Sequence, residues 1–182
     1  MANRFKIRAT GQGLRTLFFG RRPHLTILRI LILVVATFVT FRLILLPVRV
    51  TGLSMEPTCR DGQLGAINLL AYARQAPQRG DIVAIRMEAA EPVMLKRVIG
   101  LPGERIAFHS GALFINGVRV AEPYLTSPDT WEWPEETLDH QTYFVAGDNR
   151  SISRQFRVGR GQIFGKLFGQ SGFRDMGTWR IE

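Results

Sequence analysis

Hydrophobic residues form one long run near the start of the chain and many short runs after it. Residues 25–48 are almost wholly apolar, and the twenty residues 27–46 lie within this run. As an α-helix, twenty residues would span about 30 Å, the thickness of a bilayer core. Arg29 and Arg42 interrupt the run near its ends, where long side chains can reach the lipid headgroups. The pattern predicts a transmembrane helix over 25–48.

The rest of the chain alternates short apolar or β-branched runs with Gly, Pro, Asn and Asp, a pattern typical of strands and turns. It predicts strands at 81–85, 93–99, 105–108, 112–115, 118–120, 141–146 and 162–168. A weak helical pattern covers only 69–74. Residues 126–140 are predicted to form a loop, whose Trp131 and Trp133 cover the core or contact lipid headgroups. Because helical crossovers are missing from the pattern, we expect a mainly β protein with an antiparallel, barrel-like domain after the transmembrane helix.

These patterns divide the chain into four parts. They are a basic N-terminus (1–24), the helix (25–48), the β domain (49–170), with a small β insertion at about 103–143, and a C-terminal tail (171–182).

The formal charge of +9 is unevenly distributed. Residues 1–50 hold nine of the 24 Lys and Arg residues and no acid, whereas residues 51–182 hold 15 basic and 15 acidic residues. The β domain is therefore neutral, which argues against a nucleic-acid binder. Six of the basic residues precede the helix. By the positive-inside rule, the N-terminus stays in the cytoplasm and the β domain lies on the outer, periplasmic or extracytoplasmic, face of the inner or plasma membrane.

A removable signal peptide is the alternative interpretation of a basic start followed by an apolar run. Two features argue against it. The run is longer than a signal-peptide core, and its end, at 46–49, reads LPVR rather than a set of small residues around a cleavage point. We therefore expect an uncleaved, single-pass anchor.

Cysteine and histidine offer little for metal chemistry. Cys59 is the only cysteine, and the three histidines, His24, His109 and His140, are widely separated in the sequence. We expect no metal and no cofactor.

Ser54 lies just after the apolar run, in residues 52–58, which read GLSMEPT. A serine hydroxyl becomes a useful nucleophile only when a base takes its proton and donors stabilise the oxyanion. The alternative is an ordinary boundary loop, because Gly, Ser, Pro and Thr are common turn formers.

Lys96 and Arg97 interrupt an apolar strand pattern, VMLKRVI, at 93–99. Neighbouring side chains on a strand point to opposite faces, so one of the two charges faces the apolar side. If it is Lys96, burial lowers its pKa and makes it a possible base. A pair of edge-strand charges that prevents aggregation is the alternative. Residues 147–153, GDNRSIS, follow another strand and could hold a lysine amine in place.

Together, these stretches resemble the type I signal peptidases, membrane-bound serine proteases with a Ser/Lys dyad. Residues 52–58 resemble the nucleophile box of that family, and residues 96–104, KRVIGLPGE, resemble its lysine box. Residues 147–153 resemble the third box, and residues 80–83, GDIV, resemble the strand between the first two. The four matches keep the family's order.

The resemblance implies that Ser54 is the nucleophile, that Lys96 is the general base and that Ser153 orients the lysine amine. It also implies supporting roles for Asp148, Asn149, Arg150, Gly52 and Arg157. Two positions depart from the family pattern. Gly52 stands where some members have a serine, and Gln155 replaces the acid that would pair with Arg157.

The implied substrates are exported preproteins with small side chains before the scissile bond, bound in extended form along a sheet edge beside the lipid bilayer. We expect the substrate pockets to involve Met55, Pro57, Ile82, Val83 and Ile85. A peptidase dedicated to one substrate, such as a conjugation pilin, is an alternative. An inactive membrane-tethered binding module is another. A self-cleaving repressor would need a DNA-binding segment where this chain has its apolar run.

Overall fold

A computed structural model of the protein describes residues 23–88, 92–125 and 130–168. The described residues form two compact units that divide between Arg42 and Leu43. The predicted tail at 171–182, and nearly all of the basic segment at 1–24, lie outside the described residues.

The first unit is helical. Helix α1, Pro23–Val39, continues as a π-helical turn, Thr40–Ile44. Within the described residues one helix, His24–Ile44, is long and apolar enough to cross a membrane. The prediction that the helix extends to Val48 is wrong, because Leu45–Arg49 forms a strand. Pro47 lacks the N–H that a helix interior requires, whereas an edge strand tolerates proline.

The second unit consists of two antiparallel sheets, which confirms the mainly β prediction. A seven-stranded sheet has the order β1-β2-β11-β3-β4-β9-β10, and a four-stranded sheet has the order β7-β6-β5-β8. The strands are β1 (Leu45–Arg49), β2 (Leu64–Asn68), β3 (Ile82–Ile85), β4 (Met94–Gly100), β5 (Arg105–His109), β6 (Ala112–Ile115), β7 (Val118–Val120), β8 (Trp133–Thr137), β9 (Thr142–Ala146), β10 (Phe156–Gly159) and β11 (Ile163–Phe168).

All seven predicted strands are present with small shifts at their ends, but four strands were missed. The predicted loop at 126–140 is wrong in part, because β8 forms there and pairs with β5. Its sequence, WPEET, has no apolar alternation, so its pairing is set by the neighbouring strand rather than by a local pattern. Residues 69–74 form turns instead of a helix. Trp131 and Trp133 pack against an apolar cluster that contains residues of both sheets.

Strand β3 lies in the middle of the larger sheet, and both of its faces are covered. Val83 and Ile85 belong to one apolar cluster, and Ile82 packs on the other side with Met55 and Cys59. Strand β4 lies between β3 and β9, so it is also an interior strand. The sheet therefore presents the start of β4, with Lys96, beside the loop that carries Ser54.

Candidate active site

The Ser54 loop is fixed at both ends. Gly52 has a φ of +93°, a conformation that glycine adopts most easily, and its N–H donates to Asp61 Oδ1 at 2.8 Å. Met55 is 2% exposed and packs into the core beneath the loop. The Ser54 carbonyl accepts a hydrogen bond from the Asn149 N–H at 3.1 Å. The 52–58 segment is therefore hydrogen-bonded directly to the third box.

Lys96 is buried, with 5% of its surface exposed. The interpretation of Lys96 and Arg97 as exposed edge-strand charges does not hold, because both side chains are buried. Burial lowers the pKa of the Lys96 amine from its ordinary value, and the negative charge of Asp148 opposes this shift in part. The Phe156 ring centre lies 5.8 Å from Nζ and contributes to the apolar surroundings. The site thus favours the neutral amine that a general base requires.

Ser153 connects Lys96 to the backbone of the third box. Lys96 Nζ donates to Ser153 Oγ at 3.0 Å, and the Gly147 N–H donates to the same oxygen at 2.9 Å. A Cβ on Gly147 would lie 2.2 Å from both Ser153 Oγ and the Ser54 carbonyl oxygen. Only glycine at position 147 leaves room for both Ser153 and the Ser54 loop to approach this closely.

Ser54 and Lys96 line the same cleft, which has a volume of about 300 Å³. Among the described residues, no hydrogen bond joins the Ser54 hydroxyl to the Lys96 amine. The cleft wall is mainly apolar and comes from the end of β1 and the loop that follows it, from Ile67 of β2, and from residues 92–96. Its apolar members include Val50, Met55, Ile67, Val93 and Leu95.

The structure places the expected pocket residues in different surroundings. Met55 lines the cleft, whereas Pro57, Ile82, Val83 and Ile85 lie outside its lining. Pro57 is exposed. The three β3 residues are buried in apolar clusters, because an interior strand of a covered sheet has no face left for a substrate.

A second group of charged residues lies close to Lys96. Arg97 Nε donates to Asp148 Oδ1 at 2.8 Å, and its Nη2 donates to Oδ2 at 2.6 Å. The Thr58 hydroxyl also donates to Asp148. Arg97 lies over the ring of Tyr124, with Cζ 4.1 Å from the ring centre. Asp148, in the third box, is therefore bonded both to the 52–58 segment and to the strand that carries Lys96.

The structure does not bring all the expected supporting residues together. Arg150 is buried and pairs with Glu122, whereas Arg157 is exposed on β10 and bonds to Glu136 at 3.2 Å. Arg157 directly follows Phe156, which faces Lys96, so strand alternation turns Arg157 to the other side.

Four further residues contact this network without having been expected from the sequence: Arg97, Glu122, Tyr124 and Phe156. Arg97 was detectable as the second charge in an apolar strand. Glu122 and Tyr124 follow β7 in a segment with no recognisable motif, so only the fold reveals them. Among the described residues, no group of three or more His, Cys, Asp or Glu side chains is arranged to hold a metal ion.

The chain is similar to known proteins. Residues 24–168 match the family model described as signal peptidase, peptidase S26. Signal peptidase IB of Staphylococcus aureus is 28% identical over 163 residues, covering 78% of this chain and 85% of that protein. Signal peptidase I of Bacillus amyloliquefaciens is 36% identical over 127 residues, covering 64% of this chain and 66% of that protein. A crystal structure of a signal peptidase I from Enterococcus faecalis V583 has 30% identity and a TM-score of 0.44, covering 52% of this chain and 98% of that chain.

The family match includes the strand that carries Lys96, the Ser54 loop and the third box. The chain therefore belongs to the signal peptidase family, peptidase S26. It is a membrane serine endopeptidase that cleaves signal peptides, and the resemblance noted in the sequence is confirmed. The dedicated maturation peptidase and the inactive binding module are not favoured.

Proposed function

We propose that this signal peptidase cleaves its substrates with Ser54 as the nucleophile and Lys96 as the general base. The observation that carries the proposal is the buried amine of Lys96, held by Ser153 in the cleft that Ser54 also lines. A lysine in water is protonated at neutral pH and cannot take a proton from serine. Burial reduces this obstacle, because it disfavours the charged form and lowers the pKa of the Lys96 amine.

The reaction follows from these positions. Neutral Lys96 takes the Ser54 proton as Oγ attacks the scissile carbonyl, and the Ser54 backbone N–H stabilises the resulting oxyanion. The lysinium then gives its proton to the leaving amine, which departs with the mature protein and leaves an ester on Ser54. Water, deprotonated by Lys96, attacks this ester. The lysinium returns the proton to Ser54 Oγ as the ester bond breaks, and the signal peptide leaves with a new carboxyl group, which ionises in solvent.

The substrate would lie extended along β4. In the sheet, β9 pairs with β4 only from Arg97 onward, and residues 92–96 line the cleft. A peptide strand could add there through backbone hydrogen bonds and direct alternate side chains into the apolar wall. Because the cleft of about 300 Å³ is small, we propose that the residues before the scissile bond carry small side chains.

The orientation in the membrane is part of the same proposal. Six unbalanced basic residues precede the apolar helix, which keeps the N-terminus cytoplasmic and the β domain outside. Protease treatment of sealed inverted vesicles tests this arrangement. We expect the β domain to be protected inside them and to be digested after the vesicles are opened.

The dyad is tested by cleavage of a preprotein in membranes that contain wild type, Ser54→Ala or Lys96→Ala. We expect neither variant to process the substrate. Ser110→Gly is the matched control, because it removes a hydroxyl from an exposed turn with a φ of +49° in the other sheet. Equal processing by all four proteins would disprove the dyad.

A further inference from the structure

The segment at 121–125 reaches the active-site network from the end of the four-stranded sheet. It follows β7 directly, and its Glu122 side chain is only 5% exposed. Glu122 forms a two-point ion pair with Arg150 of the third box: Oε1 contacts Nη2, and Oε2 lies 3.2 Å from Nη1. The Tyr124 hydroxyl donates to the same carboxylate. A buried carboxylate with this many donors is held in a fixed position.

Arg150 connects this carboxylate to the Lys96 amine through a chain of hydrogen bonds. Its Nε donates to the Gly147 carbonyl at 3.1 Å, and the N–H of Gly147 donates to Ser153 Oγ at 2.9 Å. The same Ser153 oxygen accepts the hydrogen bond from Lys96 at 3.0 Å. Each contact is buried, so water does not readily replace any of them.

We propose that Glu122 is a positioning residue for the peptidase reaction, acting through Arg150, Gly147 and Ser153 to hold the amine of Lys96. This role rests on the proposed Ser54/Lys96 dyad. The β insertion then contributes to the active site as well as to the core, because it supplies the carboxylate that holds the third box in place. Glu122 does not line the cleft, so its effect falls on catalysis rather than on substrate binding.

The first test measures kcat and KM for Glu122→Gln, which keeps the shape of the side chain and removes its charge. We expect kcat to fall about tenfold or more, because small displacements of catalytic groups are costly, with KM nearly unchanged. Glu122→Asp keeps the charge and should retain more activity. Glu135→Gln is the control, because it removes a carboxylate from an exposed ion pair with Arg105 in the same sheet. A kcat equal to wild type in folded Glu122→Gln would overturn the proposal.

Loss of the carboxylate could prevent folding, since it removes the buried partner of Arg150. The double variant Glu122→Gln/Arg150→Met removes both charges and avoids that cost. It also lacks the bond to Gly147, so we expect it to fold and to show the same fall in kcat. A folded double variant with the kcat of wild type would also overturn the proposal.

A double-mutant cycle separates positioning from general destabilisation. In a Ser153→Ala background the link to Lys96 is already lost, so Glu122→Gln should cause little further fall in kcat. If the separate falls in kcat caused by Glu122→Gln and by Ser153→Ala multiply in the double variant, the proposed route through Ser153 is wrong. Lys96→Ala distinguishes the two proposals: its full activity would disprove the dyad, whereas an inactive Lys96→Ala with multiplying effects would disprove only the role of Glu122.

Discussion

Arg97 and Asp148 form a two-point ion pair whose side chains are 6% and 0% exposed. Arg97 comes from the lysine strand, and Asp148 comes from the third box, 51 residues later. The pair fixes the distance between the two segments that hold the base. Its removal should therefore affect both stability and activity.

Asp148→Asn should reduce the free energy of unfolding by about 3–5 kcal/mol, because it leaves a buried guanidinium without its carboxylate. The measurement is denaturant unfolding of the detergent-solubilised protein. Glu135→Gln, which breaks the exposed pair with Arg105, should cost at most about 1 kcal/mol. Similar losses in the two variants would contradict the structural role of the buried pair.

The pH dependence of kcat/KM should follow the neutral fraction of Lys96. Burial lowers the pKa of Lys96 from its ordinary value of 10.5, so activity should rise with pH through a limb that lies below that value. Asp148 raises this pKa, so the limb of any folded Asp148→Asn should move to lower pH. Lys96→Arg should be inactive, because a guanidinium stays protonated. A limb near 10.5 in wild type would contradict a buried base.

Gly147→Ala should abolish activity in the folded fraction and lower the melting temperature. The added Cβ would lie 2.2 Å from Ser153 Oγ and from the Ser54 carbonyl oxygen, so the nucleophile loop or the lysine partner must shift. Gly161→Ala is the matched control, because its Cβ would meet nothing within 4 Å. Preprotein cleavage and thermal unfolding measure both effects, and normal cleavage by Gly147→Ala would be inconsistent with the close approach.

Ser153→Ala removes the oxygen that accepts hydrogen bonds from Lys96 Nζ and the Gly147 N–H. Two buried donors lose their partner, so we expect a loss of about 1–3 kcal/mol in the free energy of unfolding. We also expect kcat to fall about tenfold or more because the amine is no longer held in place. Ser151→Ala, which removes an exposed hydroxyl two residues away, is the control. Equal kcat values for the two variants would argue against a role for Ser153.

Phe156→Ala should move the acid limb of kcat/KM to higher pH. The ring helps to exclude water from Lys96, and its loss would stabilise the charged amine. At 5.8 Å the attraction between the ring and a charged amine is weak, so the change in hydration decides the sign. Phe114→Ala, which removes a half-buried ring from the other sheet, should leave the limb unchanged. A limb that moves to lower pH would show that the ring mainly stabilises the charge.

The sequence located the apolar helix, seven strands and the three boxes because each depends on neighbouring residues. Helix length, strand alternation and turn signals such as Asn116-Gly117 are local properties. The strands β1, β2, β8 and β10 were missed. The case of β8 shows why: its pairing partner lies in another part of the chain, and its own sequence has no periodic pattern.

The candidate site, like the fold, could be predicted from the sequence only in part. The candidate serine nucleophile and lysine base could be recognised from the sequence, because their chemistry and their motifs depend on residue type and on near neighbours in the chain. The fold, by contrast, makes β4 an interior strand and buries Lys96 and Arg97 together. The fold also forms the cleft wall from residues 48–55, Ile67 and residues 92–96 rather than from β3, and it pairs Glu122 with Arg150. Burial, pKa and ion pairing depend on residues distant in the chain, so no local pattern could encode them.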